Sequence, residues 1–453
     1  MNIAVMLKKY SQLLIGLFNQ FFNMVTPFII TIIGLKYISV DKGSIWIIFL
    51  SMMVLISLFD FGLSPTTIRN ISYVIGGAKK LTKDGISNFE HDSKISYPLL
   101  SRLLKDVKNI YAYITFFAFF IIAIGGGGYF FLISPSGMKC EILVAWLIYS
   151  TGLLLNLYYL YYTPVLCGVG VIQHAYYSNI AGRISWLIAT IIVALYWPGL
   201  IGFSLAFVFS VLINRLVISH YYNRNSYIIE AKKFTAQDES TIPYIAHNTV
   251  KLGTVSIGSF MISRATVLIA AAFLPLAIAG EYTFTLQVYM ALLAVGNVYI
   301  SIKIPDLSRF VMRGDIINSR ELIIKILSVS AGIYLSGFLF FYFLSDYIIK
   351  VFHAKVGFLP DKYLLILGGV YFLELLHSLC ATILTTKNKI PFVKPALISG
   401  VLIVISSYAL LKYTSLGLVA VIVAQGSVQL MYNNWKWPLV VYREFFTHDK
   451  YKT

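Results

Sequence analysis

About a dozen apolar stretches, each roughly long enough to cross a lipid bilayer, constrain this chain more than any other feature of its sequence. Hydrocarbon offers no partner for backbone N–H and C=O groups, so each stretch is expected to form a helix. The predicted spans are Leu13–Ile33, Ser44–Gly62, Tyr111–Ile133, Ile142–Val165, Tyr176–Tyr196, Leu200–His220, Leu252–Phe273, Tyr282–Ile304, Ile326–Leu344, Leu364–Thr386, Pro391–Leu411 and Leu416–Val441. With 12% charged residues in 453, the chain has too little charge to cover a soluble domain of this size. The sequence therefore predicts an all-α polytopic membrane protein.

The distribution of lysine and arginine predicts how the spans are oriented. If the N-terminus is cytoplasmic, about 27 of these residues fall on the inner side and about 7 on the outer side, which agrees with the positive-inside rule. An even number of spans then places both termini in the cytoplasm. A formal net charge of +17 would suggest nucleic-acid binding in a soluble protein. Here the basic residues lie in short loops between apolar stretches, so we predict no nucleic-acid partner.

The twelve spans divide naturally into two groups of six. We predict an N-terminal lobe over residues 1–222 and a C-terminal lobe over residues 223–453. A faint internal repeat supports this division, because Val40-Asp41-Lys42-Gly43 precedes span two and Ala277-Ile278-Ala279-Gly280 precedes span eight. Repeats of this kind usually place the substrate path at the interface of the two halves.

No catalytic or nucleotide-binding motif is found in the sequence. It lacks a Walker A run, Gly-x-Ser-x-Gly and His-Glu-x-x-His, and its histidines have no metal-ligand spacing. We therefore predict a protein that is not an enzyme and that needs neither a metal nor a cofactor. Four consecutive glycines, Gly125 to Gly128, lie within span three. Close helix packing is the favoured interpretation of this run, and a hinge is the alternative.

Three arginines lie inside or near the predicted spans, where a charge is costly unless it faces a cavity or a partner. Arg264 is about twelve residues into span seven, roughly 18 Å from the inner face. Its planar guanidinium suits a phosphate ligand, and a buried ion pair that locks two helices is the alternative. Arg183 either lines a cavity or extends its stem to the inner headgroups. For Arg215, nearer the inner face, we favour the headgroups but keep it as a candidate ligand.

The remaining polar candidates lie on helices one and ten. Glu374 and His377 are one turn apart in span ten, which suits a protonatable pair coupled to an ion gradient. A structural salt bridge, with Arg264 as one possible partner, is the alternative. Asn19 and Asn23 share one face of helix one. They either hydrogen-bond sugar hydroxyls or bridge neighbouring helices.

One segment resembles a known family. From Asp60 the chain reads Asp-Phe-Gly-Leu-Ser-Pro-Thr-Thr-Ile-Arg-Asn-Ile-Ser, after a long apolar helix that begins near Asp41-Lys42-Gly43-Ser44-Ile45-Trp46. Over about residues 10 to 75 this resembles Wzx-type O-antigen and polysaccharide flippases, which belong to the multidrug/oligosaccharidyl-lipid/polysaccharide exporter superfamily. The rest of the chain agrees with that family in length, span count and topology.

The resemblance implies two six-helix lobes, a central cationic cavity and alternating access. It implies a bacterial inner-membrane protein that moves an undecaprenyl-diphosphate-linked oligosaccharide from the cytoplasmic to the periplasmic leaflet. Its partners would be that glycan, the lipid bilayer, and the polymerase and chain-length proteins of the same pathway. Family members carry functional basic residues in helices one and seven and an acidic residue in a late helix. Arg264 and Glu374 are in comparable places, whereas helix one has Asn19 and Asn23 instead. Asp60, within the quoted motif, joins the candidates for ion coupling.

Two other functions are compatible with the sequence. A cation-coupled multidrug antiporter of the same superfamily predicts a cavity dominated by acidic residues, whereas the deep charges here are mostly arginine. A membrane polysaccharide polymerase predicts a sizeable outer loop with catalytic residues. The longest predicted outer loop runs only from about Ser345 to Tyr363.

Overall fold

The computed structural model describes residues 3–81, 95–235, 239–387 and 391–447. Over these residues the regular structure is helical, and no strand occurs among them. Eleven of the described helices are long and apolar enough to cross a membrane. The predicted class, an all-α polytopic membrane protein, is therefore confirmed.

The chain divides into two compact units, each described separately below. The N-terminal unit comprises Met1–Lys42 with Met52–Ser256, and the C-terminal unit comprises Gly43–Ser51 with Ile257–Thr453. This division assigns the first half of span two to the C-terminal unit. The division into two six-helix lobes at residues 1–222 and 223–453 remains a prediction.

Twelve α-helices occur in the described part of the N-terminal half of the chain. They are α1 (Ile3–Tyr37), α2 (Val40–Ser51), α3 (Val54–Asp60), α4 (Leu63–Ile75), α5 (Tyr97–Phe119), α6 (Gly126–Ile133), α7 (Lys139–Tyr158), α8 (Tyr162–Gly168), α9 (Ile172–Tyr196), α10 (Leu200–Arg224), α11 (Ser226–Lys233) and α12 (Ile242–Ser263). A π-helix, Phe120–Gly125, joins α5 to α6, and a short 3₁₀ turn, Ser136–Met138, precedes α7.

Eight further helices occur among the described residues from 265 to 447. They are α13 (Ala265–Phe273), α14 (Leu276–Gly296), α15 (Val298–Met312), α16 (Ile316–Phe352), α17 (Asp361–Thr385), α18 (Val393–Tyr413), α19 (Leu418–Met431) and α20 (Asn433–Phe446).

In the N-terminal unit, α10 packs against both α9 and α7, and α9 also packs against α1. A small residue permits the closest approach of α9 to α10. A Cβ atom added at Gly182 would lie 2.8 Å from the Cβ of Asn214. Small residues at helix interfaces allow backbones to approach in this way in membrane proteins. The approach brings polar side chains of the two helices together.

In the C-terminal unit, α17 packs against α16 and α20, and α18 packs against α19 and α13. The first half of α2 contacts α14, where a Cβ atom on Gly280 would lie 2.3 Å from Ser44 Oγ. Gly280 ends the second segment of the faint internal repeat, and Ser44 directly follows the first.

The last predicted span, Leu416–Val441, is not one continuous helix. The structure divides it into α19 and α20, 14 residues each, at Tyr432, whose φ of −143° and ψ of −62° are not helical. Adjacent polar residues accompany the break. Asn433 donates its side-chain amide to Ser399 Oγ at 2.9 Å and to Gln429 Oε1 at 2.7 Å. The predicted span joined two apolar runs across these polar residues, so the interruption was missed.

The third span begins well before its predicted start at Tyr111. Helix α5 starts at Tyr97 because its polar first half has one apolar face, and Leu99, Leu100, Leu103 and Leu104 on that face are buried. Such amphipathic spacing is typical of a helix that packs on protein. Residues 82–94, which precede this helix in the sequence, lie outside the described residues.

The glycine run of span three is a packing surface. The π-helix shifts the hydrogen-bond ladder by one residue, and the carbonyl of Ile122 accepts a hydrogen bond from the indole N–H of Trp146 at 3.0 Å. The same ring lies against Gly126, where an added Cβ would be 2.4 Å from it. At Gly128 an added Cβ would meet no atom within 4 Å. Two glycines of one run therefore have different surroundings.

This difference generates a prediction with its own control. Gly126→Ala should lower the stability of the folded protein by about 1–3 kcal/mol because the Trp146 ring must move. Gly128→Ala should be neutral or slightly stabilising, since alanine favours a helix over glycine by up to about 1 kcal/mol. Thermal melting of the detergent-purified variants measures both effects. Equal melting temperatures for the two variants would contradict the packing interpretation.

Candidate functional site

The N-terminal unit contains a polar cavity of about 190 Å³ between helices α7, α9 and α10. Arg183 and Arg215 both line it. Five uncharged polar residues share the lining: Asn156, Thr163, Asn179, Ser210 and Asn214. Among the residues that the structure describes, no aspartate or glutamate contributes to the lining. The cavity is therefore cationic and rich in amide groups, as a binding site for an anion would be.

Arg215, on α10, is held firmly by the end of α7. One terminal nitrogen donates to the backbone carbonyl of Tyr159 at 3.2 Å, and the other donates to Asn156 Oδ1. Tyr159 is the C-terminal cap of α7, so the guanidinium neutralises the negative end of that helix. The favoured interpretation of the sequence, in which Arg215 extends to the lipid headgroups, is not what the structure shows. Its two terminal nitrogens are already engaged within the protein.

Arg183, on α9, is held differently. Its Nε donates to Asn23 Oδ1 on α1 at 3.0 Å. Its guanidinium carbon lies 5.6 Å from the ring centre of Trp186, within range of a cation–π interaction. Its two terminal nitrogens donate to none of the described residues. The two terminal guanidinium nitrogens, which can bind two carboxylate or phosphate oxygens at once, are therefore free at the cavity.

Asp60 lies at a sharp bend between α3 and α4. The next two residues, Phe61 and Gly62, have φ angles of 53° and 78°. The carboxylate accepts hydrogen bonds from Ser64 N at 3.2 Å and Ser64 Oγ at 2.8 Å, and from the hydroxyl of Tyr111. The Phe61 ring rests on Gly253 of α12, where an added Cβ would lie 1.9 Å from it. Asp60 thus stabilises the bend, and its predicted role in ion coupling remains untested.

A second polar cluster surrounds Glu374 in the C-terminal unit. The carboxylate accepts a hydrogen bond from Gln429 Nε2 of α19 at 3.1 Å. His377 Nδ1 lies 3.6 Å from Glu374 Oε2 and 3.2 Å from Asn434 Oδ1 of α20. Because both of those atoms are oxygens, the proton is best placed on Nδ1. The pair is largely buried, with side-chain exposures of 17% for Glu374 and 14% for His377. It joins α17 to both halves of the broken last span.

Arg264 lies at the junction of α12 and α13. Its backbone leaves helical geometry there, with φ of −129° and ψ of −30°. The side chain is partly buried and lies near the phenols of Tyr371 and Tyr282. Among the described residues its guanidinium forms neither a hydrogen bond nor an ion pair. The suggested salt bridge between Arg264 and Glu374 is therefore not formed, and Glu374 pairs with His377 instead.

Within each unit the structure brings together some of the predicted residues. Arg183, Arg215 and Asn23 converge on one cavity and its surroundings. Asn19 is buried on α1, and its side-chain oxygen has no donor among the described residues. The structure thus supports helix bridging for Asn23, while the sugar-binding role of Asn19 and Asn23 remains a prediction.

Sequence reasoning missed the amides that complete these sites. Asn156, Asn179 and Asn214 line the cavity, and Gln429 binds Glu374. A signal was present, because an amide inside an apolar span is costly unless it is hydrogen-bonded. The same reasoning that made Asn19 and Asn23 candidates therefore applies to these four amides as well.

Comparisons with known proteins identify the fold. No protein-family model matches the chain, and no curated protein matches it. An inward-facing multidrug resistance MATE family transporter of the MOP superfamily superposes with a TM-score of 0.69, at 13% identity, over 92% of this chain and 94% of that one. The lipid II flippase MurJ, in an inward closed conformation, superposes with a TM-score of 0.64, at 16% identity, over 93% and 86% of the two chains. The chain therefore has the fold of MOP superfamily transporters.

The different anchoring of the two arginines predicts different effects on stability. Arg215→Ala removes two hydrogen bonds and leaves Asn156 Oδ1 without a donor among the described residues, so it should destabilise the fold by about 2–4 kcal/mol. Arg183→Ala removes one hydrogen bond and should cost about 1–2 kcal/mol. Thermal melting in detergent compares the two purified variants. A larger loss for Arg183→Ala would show that the assignment of their anchoring is wrong.

Proposed function

We propose that this chain is a flippase that carries an anionic, lipid-linked glycan across the membrane by alternating access. One observation carries the proposal. The three arginines, Arg183, Arg215 and Arg264, lie within helices long and apolar enough to span a membrane, and none pairs with a carboxylate among the described residues. Two of them line a polar cavity. Positive charges left without a counter-charge in such surroundings are suited to a passing anion.

The physical chemistry of the task agrees with this arrangement. A diphosphate cannot enter hydrocarbon unaided, because moving an isolated charge out of water costs far more than thermal energy provides. Guanidinium groups in a polar cavity replace the lost water, and they remain charged at any physiological pH. The apolar tail of the lipid carrier needs no such help and can remain in the bilayer. Only the diphosphate and glycan of the substrate then have to be solvated by the protein.

The finer identity of the substrate comes from the sequence. The segment from Asp60 to Ser72 resembles that of O-antigen and polysaccharide flippases. We therefore propose undecaprenyl-diphosphate-linked oligosaccharide as the substrate, moved from the cytoplasmic to the periplasmic leaflet of the bacterial inner membrane. The polymerase and chain-length proteins of the same pathway are the proposed partners. Transport of lipid II by the similar structure named MurJ is compatible with this class of substrate.

The cluster around Glu374 and His377 is the proposed site of ion coupling. It is largely buried, can hold or release a proton, and links α17 to the broken span formed by α19 and α20. Discontinuous helices at ion sites are common in secondary transporters, because their exposed backbone and side-chain groups can bind the ion. A change of charge on this cluster would act directly on the break at Tyr432.

The multidrug alternative finds less support in these sites. The superposition with a MATE transporter reflects a shared fold and does not assign a substrate. The N-terminal cavity carries two arginines and, among the described residues, no carboxylate to offset them, so it would repel a cationic drug even though Trp186 and Phe207 add aromatic lining. Electrostatic complementarity therefore favours an anion.

Removing the deep positive charges tests the proposal in cells. Arg264→Ala and Arg183→Ala should each reduce surface glycan at least tenfold, because the substrate anion loses a charge-assisted contact. Lipid-linked units should accumulate in the inner leaflet. Immunoblotting of surface polysaccharide and leaflet-specific labelling of the lipid-linked units measure the two effects, with membrane protein levels quantified in parallel.

A matched control lies on the same helix as Arg215. Arg224 is exposed at the end of α10, so Arg224→Ala should leave surface glycan near the wild-type level. Normal glycan in both deep-arginine variants would refute the proposed role of the cations. A deletion strain that displays single repeat units would indicate a polymerase, and one that is hypersensitive to cationic drugs but has normal glycan would indicate a multidrug transporter.

Neutralising the acidic cluster tests the coupling. Glu374→Gln keeps an oxygen to accept the hydrogen bond from Gln429 and removes the titratable carboxyl, so the fold should persist. We expect transport in membrane vesicles to lose its dependence on an imposed proton or sodium gradient. Gln429→Leu, which keeps the carboxyl, should retain that dependence at a reduced rate. Unchanged gradient dependence in Glu374→Gln would exclude this site as the coupling site.

A further inference from the structure

We infer that the cavity of the N-terminal unit is a subsite for a single anionic sugar residue, a pyranose ring that carries a phosphate or a carboxylate. Arg183 would bind the anion, and the neighbouring amides and hydroxyls would bind the ring. The inference rests on the proposed function and narrows it, because it states which part of a glycan this unit recognises.

The size of the cavity sets the limit on the ligand. Its volume is about 190 Å³, somewhat more than the roughly 150 Å³ of an engineered cavity that encloses benzene. One six-membered ring with a small charged substituent therefore fits. A whole oligosaccharide does not, and further sugars must lie outside this cavity. The cavity can therefore bind only one sugar residue of a longer glycan.

The two arginines have separate roles in this subsite. Arg215 has both terminal nitrogens engaged, one by the Tyr159 carbonyl and the other by Asn156. Arg215 contributes positive charge, but it has no pair of free terminal nitrogens to bind an anion. Arg183 is held through Nε by Asn23, so its paired terminal nitrogens are available. A planar fork of this kind binds two oxygens of a phosphate or carboxylate at once. Asn23 is thus the positioning residue for Arg183.

The uncharged lining supplies groups for a hydroxylated ring. Asn156 and Asn179 have their side-chain oxygens occupied by Arg215 and Asn214, which leaves the NH₂ donors of both unengaged. Asn214 shows the opposite arrangement, because its NH₂ group donates to Ser178 O and to Asn179, leaving its oxygen as an acceptor. The Thr163 hydroxyl bonds to none of the described residues. Donors and acceptors side by side match the hydroxyls and ring oxygen of a sugar.

The chemistry of the lining also disfavours other occupants. A cation would face two arginines without a carboxylate. A purely apolar group would displace water from the amides and leave them unpaired, which is unfavourable. Inorganic phosphate alone would use Arg183 and leave most amide groups without a partner. A sugar with an attached anion uses both kinds of group.

Soluble analogues allow a direct test on the purified full-length protein in lipid nanodiscs. Saturation-transfer NMR would be used to titrate glucose 1-phosphate, glucuronate and methyl glucoside as phosphate, carboxylate and neutral probes. Asn179→Ala and Thr163→Val remove ring contacts, and Arg183→Ala removes the anion contact. Asn223→Ala is the control, because Asn223 is exposed near the end of α10 and does not line the cavity. Thermal melting of each variant verifies that it is folded.

We expect saturation transfer from the protein to the ring protons of at least one anionic probe. The affinity of the protein for that probe should be about tenfold or more above its affinity for methyl glucoside. Arg183→Ala should abolish that advantage, whereas Asn179→Ala and Thr163→Val should each weaken binding about threefold to tenfold. Asn223→Ala should bind like the wild type. Binding of glucose 1-phosphate alone would identify the anion as a phosphate, and binding of glucuronate alone would identify an acidic sugar.

Two results would overturn the subsite. One is equal affinity for the neutral and anionic probes, and the other is binding that Arg183→Ala, Asn179→Ala and Thr163→Val leave unchanged in folded protein. Neither result depends on transport in cells. If the binding results are negative while Arg183→Ala abolishes surface glycan, the proposed function stands and the subsite does not. If binding is confirmed but a deletion strain exports glycan normally, the subsite stands and the proposed flippase function does not.

Discussion

The solvation of guanidinium groups by neutral oxygens inside apolar helices governs the chemistry of this protein. A charge within the membrane costs several kcal/mol unless polar groups surround it. Here Asn156 and the Tyr159 carbonyl surround Arg215, and Asn23 engages Arg183. Amide oxygens orient the cation without cancelling its charge, whereas a carboxylate would do both. The arginines are therefore held in place while their field remains available to another anion.

The packing of the helices makes this solvation possible. Gly182 immediately precedes Arg183 on α9 and lets the backbone of α10 approach until Asn214 lies against it. That approach places Asn214 within 3.1 Å of Asn179 and forms one wall of the cavity. A larger residue at 182 would hold the two helices apart. The missing side chains of Gly126 and Gly280 likewise leave room for the side chains of Trp146 and Ser44. Glycines therefore determine where polar groups of neighbouring helices meet.

Much of the fold could be predicted from the sequence because hydropathy reports directly on contact with lipid. It failed where the relevant property was something else. The first half of α5 is polar overall but buries one leucine face, and the last predicted span joined two apolar runs across the polar residues at the break near Tyr432. Arg183 was identified as a candidate because a charge in a span is conspicuous. Its contact with Asn23, 160 residues away, is a property of the folded chain alone.

Two opposite charges of the C-terminal unit lie near the same tyrosine without pairing with each other. Arg264 and Glu374 both lie close enough to Tyr371 to interact with it electrostatically, yet they form no ion pair with each other among the described residues. Opposite charges in a medium of low dielectric attract strongly. A pair would compensate part of the desolvation of both groups. Instead a neutral phenol lies near both, and Gln429 and His377 bind the carboxylate. Keeping the two apart leaves a cation that can accept an anion and an acid that can change its charge, which are the two properties that coupled transport of an anion requires.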